Sequence, residues 1–340
     1  MSPSPSPTAE QRRAVELLRS EKRFLLAGHV RPDGDCLGAQ AALARVLISL
    51  GKQVVIYNPD PPGPEFSRIA DPCPFLAFEG GEVPEHDVCV LLDINDLYRC
   101  AELAIPLRAA PSRKMIVDHH PHEGEPWWDA AFVDITASAT GLLVWRIAQA
   151  LGVRLDDVAA DAVFISLVTD TGWFRYSNTD AETMAVASEL IERGVRPAEV
   201  YGQLYQQNTA SEPKALGAML QRLEYFAEGR LAVLDQPLSG VGPLVDSDAL
   251  LDIVRSVGNV EVVLFLKEIE DGICKLSARS KSSYDVNALA RRFGGGGHVK
   301  ASGATIRGKL AEVKDRLIVA AVEGFATAVD GRSKTNGEAG

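Results

Sequence analysis

The sequence has no long apolar run and few cysteines, and each shortage excludes a class of protein. No uncharged apolar stretch approaches the roughly 18 residues that a membrane-spanning helix needs, and the amino terminus lacks the apolar core of a signal peptide. The 340 residues include five cysteines without close pairing, which argues against a disulfide framework or a zinc knuckle. We therefore expect a cytoplasmic protein that does not engage a membrane and whose thiols are reduced and mostly buried.

Positive charge is scarce as well. The formal net charge is −11, which is wrong for a protein that holds long nucleic acid through many phosphates. The segment 273–307 departs from this average, because it carries seven basic residues and one acidic residue, a local charge of +6. A basic surface on an acidic protein favours a short anionic ligand over a duplex.

Residues 20–195 predict one α/β domain with a doubly wound, mainly parallel sheet. Short aliphatic runs predict buried strands at 24–27, 54–57, 88–92 and 115–117. Helical spacing of apolar residues alternates with these strands at 35–50, 138–151 and 180–194. Residues 58–86 are rich in proline and glycine and predict irregular connections with one short helix.

The pattern changes after residue 195. Residues 196–213 predict a helical linker, and residues 214–330 predict a smaller α+β domain. The ends of the chain are polar and of low complexity. Residues 1–19 predict a disordered tail with the start of a first helix, and residues 331–340 predict a second disordered tail.

Polar side chains stand where the buried apolar runs end. In chain order they are His29, Asp33 and Asp35, then Asp93, then Asp118, His119 and His120, and last Asp170. Functional groups of open α/β sheets gather just beyond the carboxyl ends of the strands. We therefore expect these side chains to meet at one edge of the sheet.

Such a cluster predicts a binuclear metal site. Carboxylates that share a low-dielectric site raise one another's pKa values unless cations neutralise them. Carboxylate with imidazole suits Mn²⁺, with Mg²⁺, Co²⁺ or Zn²⁺ less favoured. Two ions about 3.5–4 Å apart would share a carboxylate and a hydroxide and promote hydrolysis. One aspartate-rich turn alone is often a solvated loop, but the conjunction of separate segments favours the metal site.

Four consecutive glycines, Gly294 to Gly297, precede His298. A helix-ending glycine accounts for one of them but not for four. Glycines in succession let backbone N–H groups approach an anion or a nucleobase without obstruction by side chains. The loop lies in the basic segment, so we predict that it holds the part of the substrate remote from the metals. The candidate contacts are Arg279, Gly295, Gly296, Gly297, His298, Lys300 and Ser302.

Taken together, these motifs resemble the DHH-family phosphoesterases that carry a DHH-associated C-terminal domain, and among them the NrnA-type oligoribonucleases, which also remove the 3′-phosphate from pAp. The resemblance covers nearly all of residues 20–330. It departs from the family pattern at Ala39, where serine is usual, and at Ser302, which interrupts an Ala-Ala-Gly sequence. Neither position is an expected metal ligand.

The resemblance also implies roles for the candidate residues. One ion would be held by His29, Asp33 and Asp93, and the other by Asp35, Asp93, His119 and Asp170, so that Asp93 bridges the two. Arg279 and His298 would contact phosphate or the terminal nucleotide. The catalytic set would then be His120, Asp93 and Asp118. In that set His120 stabilises the phosphoryl charge or protonates the leaving oxygen, while Asp118 orients a histidine.

The resemblance implies Mn²⁺-dependent hydrolysis of short oligoribonucleotides to mononucleotides by a hydroxide that bridges the ions, with 3′-phosphatase activity on pAp. Expected partners are short single-stranded RNA or DNA, pAp, and linear or cyclic dinucleotides, but not duplexes. A homodimer stays open.

The sequence disfavours several alternative functions and leaves one open. Short length and acidic charge disfavour a RecJ-like exonuclease for long strands. The glycine loop disfavours a pyrophosphatase, and the full ligand set disfavours a non-catalytic nucleotide sensor. A phosphodiesterase of cyclic or linear dinucleotides stays open.

Other notable residues have a structural role as one possible explanation. Trp127 and Trp128 are expected to pack against the domain rather than stack on bases. His86 and His122 are expected in solvated loops. Arg175 is either a phosphate contact or half of an ion pair. The segment 136–140 either presents free N–H groups to a phosphate or simply caps a helix.

Overall fold

The computed structural model describes residues 7–122, 124–238, 247–281 and 283–333, and the chain divides into two compact units, Met1–Gln207 and Asn208–Gly340. The serine-proline run at residues 2–6 and the end of the chain from residue 334, where tails were predicted, lie outside the described residues. None of the described helices is both long and apolar enough to span a bilayer.

Unit 1 alternates strands with helices. Its strands are β1 (Arg23–Ala27), β2 (Gln53–Asn58), β3 (Phe75–Ala77), β4 (Val88–Leu92), β5 (Arg113–Asp118) and β6 (Ala130–Val133). Its helices are α1 (Ala9–Ser20), α2 (Gly34–Ser49), α3 (Ser67–Ala70), α4 (Ala104–Ala109), α5 (Thr140–Leu151), α6 (Asp157–Asp170), α7 (Ala181–Glu192) and α8 (Pro197–Tyr205). Short 3₁₀ segments at Pro64–Phe66 and Leu97–Leu103 complete it.

The six strands form one sheet in the order β3-β2-β1-β4-β5-β6, and every neighbouring pair is parallel. Alternate side chains of each central strand enter different cores. Phe24 and Leu26 of β1 join the core formed with α1, α2, α5 and α6, whereas Leu25 and Ala27 join the core formed with the segment Leu97–Leu103 and α4. Both faces of the sheet are thus covered, which confirms the doubly wound α/β prediction.

The structure refines three expectations for this unit. Residues 1–19, predicted as a disordered tail with the start of a first helix, contain helix α1 from Ala9, because Thr8 and Gln11 form a capping box and residues such as Leu18 are buried. Strands β3 and β6 were missed, since both are short and lie at the edges of the sheet. The apolar run that precedes Asp170, residues 163–168, belongs to helix α6.

Helices α2, α5 and α6 pack closely because small residues separate them. A Cβ atom on Gly38 of α2 would lie 2.4 Å from the carbonyl oxygen of Ala162 in α6, and one on Gly141 of α5 would lie 2.1 Å from Oγ of Ser166. Only glycine therefore fits at these crossings. The close approach brings the first turn of α2, which carries Asp35, next to the last turn of α6, which carries Asp170.

Unit 2 contains a second, mixed sheet. Its strands are β7 (Glu224–Phe226), β8 (Leu231–Gln236), β9 (Val262–Glu270), β10 (Ile273–Ser280), β11 (Gly296–Gly297) and β12 (Ala301–Arg307), and its helices are α9 (Glu212–Leu220), α10 (Ser247–Arg255), α11 (Val286–Arg291) and α12 (Leu310–Ser333). The strand order is β11-β12-β10-β9-β8-β7, with β8 and β9 parallel and the other pairs antiparallel. This matches the predicted α+β class.

The helix crossing at Gly38 gives a test of the packing. We expect Gly38→Ala to lower the free energy of unfolding by about 1–3 kcal/mol, because the new methyl group meets backbone rather than a movable side chain. Urea unfolding measures the change. The control is Gly217→Ala in α9, where a Cβ meets nothing within 4 Å and stability should hold or rise by up to about 1 kcal/mol. Equal effects of the two substitutions would contradict the packing argument.

Candidate metal centre

The candidate residues surround the point where the strand order of unit 1 reverses. Strands β1 and β4 are neighbours in the sheet although β2 and β3 lie between them in sequence. At such a point the chain leaves two adjacent strands in different directions, which opens a crevice beyond their carboxyl ends. His29 follows β1 and Asp93 follows β4, so both side chains stand at this crevice.

Asp93 is held in an uncommon backbone conformation. Its φ is +61°, in the left-handed region that non-glycine residues rarely adopt. Its N–H donates to the carbonyl oxygen of Val117, at 3.0 Å, so the end of β4 is tied to β5. The carboxylate is buried and faces histidines from two other segments.

The first of these histidines is His29. Its Nδ1 lies 3.0 Å from the carbonyl oxygen of Val30, which can only accept, so that nitrogen carries the proton. The other nitrogen, Nε2, lies 3.3 Å from Oδ2 of Asp93 and 3.8 Å from Oδ1 of Asp33. Asp33 also caps α2, accepting from the backbone N–H groups of Asp35 and Cys36. With Nδ1 donating to a carbonyl oxygen, Nε2 is the nitrogen that faces the carboxylates.

The second histidine, His119, has the same arrangement with a larger set of acids. Its Nδ1 lies 3.1 Å from the carbonyl oxygen of Ala137. Its Nε2 lies 3.5 Å from Asp35, 3.6 Å from Asp93 and 3.8 Å from Asp170. This Nε2 is buried and has no hydrogen-bond partner among the described residues. A ring nitrogen buried among carboxylate oxygens can share a cation with them, so the residues present suit a divalent metal.

Electrostatics support the same conclusion. Burial, with the charges of Asp93 and Asp170, raises the pKa of Asp35 well above its ordinary value. Burial raises the pKa of Asp170 to about 6. Asp93 differs, because the neighbouring rings of His119 and His29 outweigh the effect of its burial and lower its pKa. The acids are therefore too close to be ionised together without added positive charge.

The carboxylate of Asp35 is the most enclosed of the group. It accepts hydrogen bonds from Oγ of Ser166, at 2.5 Å, and from the backbone N–H groups of Thr140 and Gly141, at 2.8 and 3.2 Å. The first N–H groups of α5 thus bind an internal carboxylate rather than a substrate phosphate, which corrects one of the two sequence interpretations. The other is corrected too, since Ala139 at the N-cap provides no side-chain bond. Ser166 lies in the middle of α6, and no motif in the sequence indicates its role.

Asn178 supports Asp170 and was also missed. Its Nδ2 donates to the backbone oxygen of Asp170 at 3.1 Å and lies 3.4 Å from Oδ2. Between the two residues the chain makes a left-handed turn, with positive φ at Gly172, Trp173 and Phe174. Arg175 belongs to this turn, because its Nε donates to the carbonyl oxygen of Gly172 at 2.6 Å.

His120 is placed differently from the other two histidines. Its Nδ1 lies 2.8 Å from Oδ1 of Asp118 and 3.5 Å from Oδ1 of Asp93. Asp118 is fully buried and also accepts from the backbone N–H groups of His119 and His120. The bond to Asp118 raises the pKa of His120. The ring is 39% exposed, so its Nε2 is the nitrogen left to act on a substrate.

Cys36 lies close enough to His29 and Asp93 to complete a group of three candidate ligands. Its burial raises the pKa of the thiol well above the ordinary value, so it stays protonated. A protonated thiol is a poor ligand. All five cysteines are free and buried, as predicted.

In unit 2 the glycine run forms a tight hairpin. Gly294 has a φ of +75° where α11 ends. A Cβ on Gly295 would lie 2.1 Å from the carbonyl oxygen of Gly303, and one on Gly297, whose φ is +141°, would lie 2.6 Å from that of Ala301. The fold of the hairpin thus requires glycine at three of the four positions, whereas the sequence alone explained glycine at only one. Gly296 is the exception, since the nearest atom to its Cβ position is 3.9 Å away.

The other predicted contacts of unit 2 surround this hairpin. His298 and Lys300 are exposed, whereas Ser302 is buried and its hydroxyl donates to the carbonyl oxygen of His298 at 2.7 Å. Arg279 is half-buried, and its Nη1 lies 3.2 Å from the carbonyl oxygen of Ala278. The hydroxyl of Ser302 therefore stabilises the hairpin.

Two histidines differ from expectation. His86 is buried rather than solvated, because its Nδ1 lies 2.6 Å from the carbonyl oxygen of Pro84 and its Nε2 lies 2.7 Å from Oγ of Ser112. His122 is half-buried against Trp128, with ring centroids 4.7 Å apart. Trp128 itself packs on the core beside the segment Leu97–Leu103, as predicted.

Known family models match both units of the chain. Residues 23–167 match the DHH family, N-terminal domain, and residues 245–327 match the DHHA1 domain. The bifunctional oligoribonuclease and PAP phosphatase NrnA of Thermus thermophilus is 31% identical over 94% of this chain and 96% of its own length. The protein of the same description from Bacillus subtilis is 28% identical over 86% of this chain and 93% of its own length.

Solved structures share the fold. An exopolyphosphatase-related protein from Bacteroides fragilis superposes with a TM-score of 0.88 at 25% identity, over 95% of this chain and 98% of that one. RecJ from Thermus thermophilus, in complex with Mn²⁺, gives a TM-score of 0.57 at 18% identity, over 95% of this chain and 56% of that one. The second likeness shows the fold alone.

The raised pKa of Asp170 predicts how the metal-free protein responds to pH. A carboxyl group with a raised pKa favours the folded state only while protonated, so its contribution is lost as pH rises from about 4 to about 6. In EDTA we expect Asp170→Asn to remove this part of the pH dependence of the unfolding free energy. Its size is on the order of 1–2 kcal/mol, because the group is partly exposed.

Urea unfolding in EDTA between pH 4 and pH 7 measures this difference. Asp271→Asn, at an exposed carboxylate of unit 2, is the control and should keep the wild-type slope. Added Mn²⁺ should abolish the loss of unfolding free energy with rising pH in the wild type. If Asp170→Asn kept the wild-type slope as well, the electrostatic account of this carboxylate would be wrong.

Proposed function

Because this chain belongs to the DHH family of phosphoesterases, we propose that it hydrolyses short oligoribonucleotides to mononucleotides and removes the 3′-phosphate of pAp. The observation that carries the proposal is the buried Nε2 of His119, which has no hydrogen-bond partner in the described chain and faces the carboxylates of Asp35, Asp93 and Asp170. The relatives named above as oligoribonucleases and PAP phosphatases span nearly the whole chain, which supports the choice of substrates.

The proposed metal ligands are those that the sequence predicted. His29, Asp33 and Asp93 would hold one ion, and Asp35, Asp93, His119 and Asp170 would hold a second. Mn²⁺ is the proposed ion, because mixed carboxylate and imidazole ligands suit it. When bound, two such ions supply a nucleophile at neutral pH and neutralise charge on the phosphoryl oxygens.

His120 provides a hydrogen-bond donor, which the metal ligands do not. Its Nδ1 is engaged by Asp118, so a protonated ring offers its Nε2 as a donor. A donor beside the ligand cluster can neutralise charge on the phosphoryl group or protonate the leaving oxygen. Asp118 keeps the ring oriented and raises its pKa, which keeps it protonated at a higher pH. We assign Asp118 as a positioning residue.

Unit 2 is proposed to bind the part of the substrate that the metals do not reach. The exposed side chains of His298 and Lys300 and the guanidinium of Arg279 lie in the segment of charge +6. Gly296 is the one glycine of the run whose small size the hairpin does not require. Its absent side chain is explained if a phosphate or base approaches the backbone there.

A panel of substrates tests the function. Purified protein is incubated with pAp, with oligoribonucleotides of two to five residues, with a long single strand, with cyclic dinucleotides and with pyrophosphate, each with Mn²⁺, Mg²⁺, Co²⁺, Zn²⁺ or EDTA. We expect turnover of pAp and of the short oligonucleotides, fastest with Mn²⁺ and absent in EDTA. Preference for the long strand would favour a RecJ-like function, and turnover of pyrophosphate alone would overturn the proposal.

The role of His120 can be separated from metal binding. We expect His120→Ala to lower kcat by about 10²–10³-fold while the metal content stays at the wild-type level, because the ring acts on the substrate. In the wild type, kcat should fall as pH rises through the raised pKa of His120. Asp118→Asn removes the partner that raises this pKa, so the fall should begin at lower pH.

The measurements are metal analysis after dialysis and the pH profile of kcat. Glu102→Gln, at an exposed carboxylate in the segment Leu97–Leu103, is the control and should leave the pH profile in place. Loss of metal with an unchanged kcat at saturating Mn²⁺ would reassign His120 as a ligand.

Gly296→Ala tests the role of the glycine loop. The substitution has room in the hairpin, so we expect unchanged stability. KM for short oligonucleotides should rise about 10-fold or more, since the methyl group blocks close approach to the backbone. Arg279→Ala and His298→Ala should raise the same KM about 10- to 150-fold through loss of a charge-assisted contact.

Steady-state kinetics with a pentanucleotide and with bis-p-nitrophenyl phosphate, which offers no nucleotide, distinguish binding from chemistry. The phosphodiester without a nucleotide should be affected much less by all three variants. Wild-type kinetics for Gly296→Ala would show that the loop serves the fold only.

A further inference from the structure

A cavity on the flank of unit 1 has no part in the function described so far. It has a volume of about 670 Å³ and lies between the segment that begins at Asp96 and the loop that carries His122, Glu125 and Trp127. Charged, polar and aromatic side chains contribute to its lining, and all of its walls belong to unit 1.

The cavity is connected to the candidate metal centre through Asn95. The indole Nε1 of Trp127 donates to the carbonyl oxygen of Asn95 at 3.0 Å. The side chain of Asn95 in turn lies 3.2 Å from the carbonyl oxygens of His120 and Pro121. Asn95 is two residues beyond Asp93. The wall of the cavity and the loop that presents His120 are therefore held together by hydrogen bonds.

Two aromatic side chains of this wall are exposed. Tyr98 is 80% exposed and Trp127 is 37% exposed. Trp127 meets Trp128 edge to face, with centroids 5.9 Å apart, and Trp128 is anchored in the core. The one polar atom of the Trp127 side chain is already bonded to Asn95. The indole is thus fixed at its edges, while its exposed surface lines the cavity.

The charges that line the cavity are suited to a nucleotide. Arg108 is exposed, lies with its guanidinium carbon 6.0 Å from the ring centroid of Tyr98, and forms no ion pair within the described chain. The ammonium group of Lys114, by contrast, already donates hydrogen bonds to the carbonyl oxygens of Ala110 and Ser112 and to the Ser112 hydroxyl. The carboxylates of Asp96 and Glu125 offer acceptors for exocyclic amines.

We propose that this cavity is a stacking subsite for a nucleotide that flanks the one whose phosphate is hydrolysed. Exposed aromatic rings with an arginine are the usual means of holding a single-stranded base without reading its identity. A base stacked on Trp127 or Tyr98 would leave its own phosphate near Arg108. The inference rests on the proposed function, because it assigns to unit 1 a contact that only substrates of more than one or two nucleotides can make.

The subsite makes the enzyme sensitive to substrate length. A dinucleotide that occupies the metal centre has no further base to place in the cavity. A pentanucleotide has further bases that can stack there. Loss of one stacked base weakens binding by about 5- to 150-fold. The effect should therefore appear in the ratio of KM for the pentanucleotide to KM for the dinucleotide.

The test uses the full chain and the variants Trp127→Ala, Tyr98→Ala and Arg108→Ala. The matched control is Ile105→Ala, which alters an exposed side chain of the same helix as Arg108 but not of the cavity. In EDTA, where no turnover occurs, tryptophan emission is followed as pentaadenylate or AMP is added. In Mn²⁺, KM is measured for adenylate oligomers of two and five residues.

We expect pentaadenylate to quench the emission of the wild type and of Ile105→Ala saturably. The quenching should be lost in Trp127→Ala, and Kd should rise at least about fivefold in Tyr98→Ala and Arg108→Ala. The KM ratio should rise by a similar factor in all three cavity variants. Unchanged Kd and unchanged ratios would overturn the subsite, and so would equal rises of KM for both oligomers.

Failure of the subsite can be distinguished from failure of the proposed function. If the wild type hydrolyses none of the oligomers but shows the quenching and its loss in the variants, the cavity binds nucleotides and the proposed function is wrong. If the oligomers are hydrolysed while the cavity variants behave as the wild type, the function stands and the subsite does not.

Discussion

The structure depends on the burial of several carboxylates around two histidine nitrogens. Asp35 and Asp93 are almost fully buried, and each faces the other's charge. An isolated ion of this kind would be expelled or neutralised by a proton. Here it is retained by hydrogen bonds from the first turn of α5 and from Ser166 of α6, and by imidazole. The segments around the centre are arranged to compensate charge that the fold itself has gathered.

Close packing of helices is what makes this gathering possible. Glycines at the crossings of α2, α5 and α6 let main chains approach so closely that a methyl group would collide with a carbonyl oxygen or a hydroxyl. The first turn of α2 and the last turn of α6 then stand side by side, although their residues are far apart in sequence. The packing of these helices therefore determines the geometry of the candidate metal centre. A substitution that changes the packing also moves the side chains of the centre.

Much of this was readable from the sequence, and the rest has identifiable causes. The parallel sheet and the meeting of His29, Asp93 and His119 were predictable, because buried runs and the polar residues that end them are local signals. Ser166 and Asn178 were not, since their partners are determined by helix packing that leaves no local pattern. The glycine run was only partly understood, because two of its members are required by a neighbouring strand rather than by a ligand. His86 was misjudged because its burial depends on Ser112, in a different segment.

The strand order also determines how the chain must be built. Strand β1 lies at the middle of the sheet, yet one of its two neighbours, β4, is encoded about sixty residues later. At roughly 5–20 residues per second, a ribosome leaves one side of β1 unpaired for about 3–12 s. During that interval an apolar strand presents open backbone groups to any other nascent chain. Pairing with β2 closes only the other edge of β1, so the edge that β4 will occupy stays open until β4 is made.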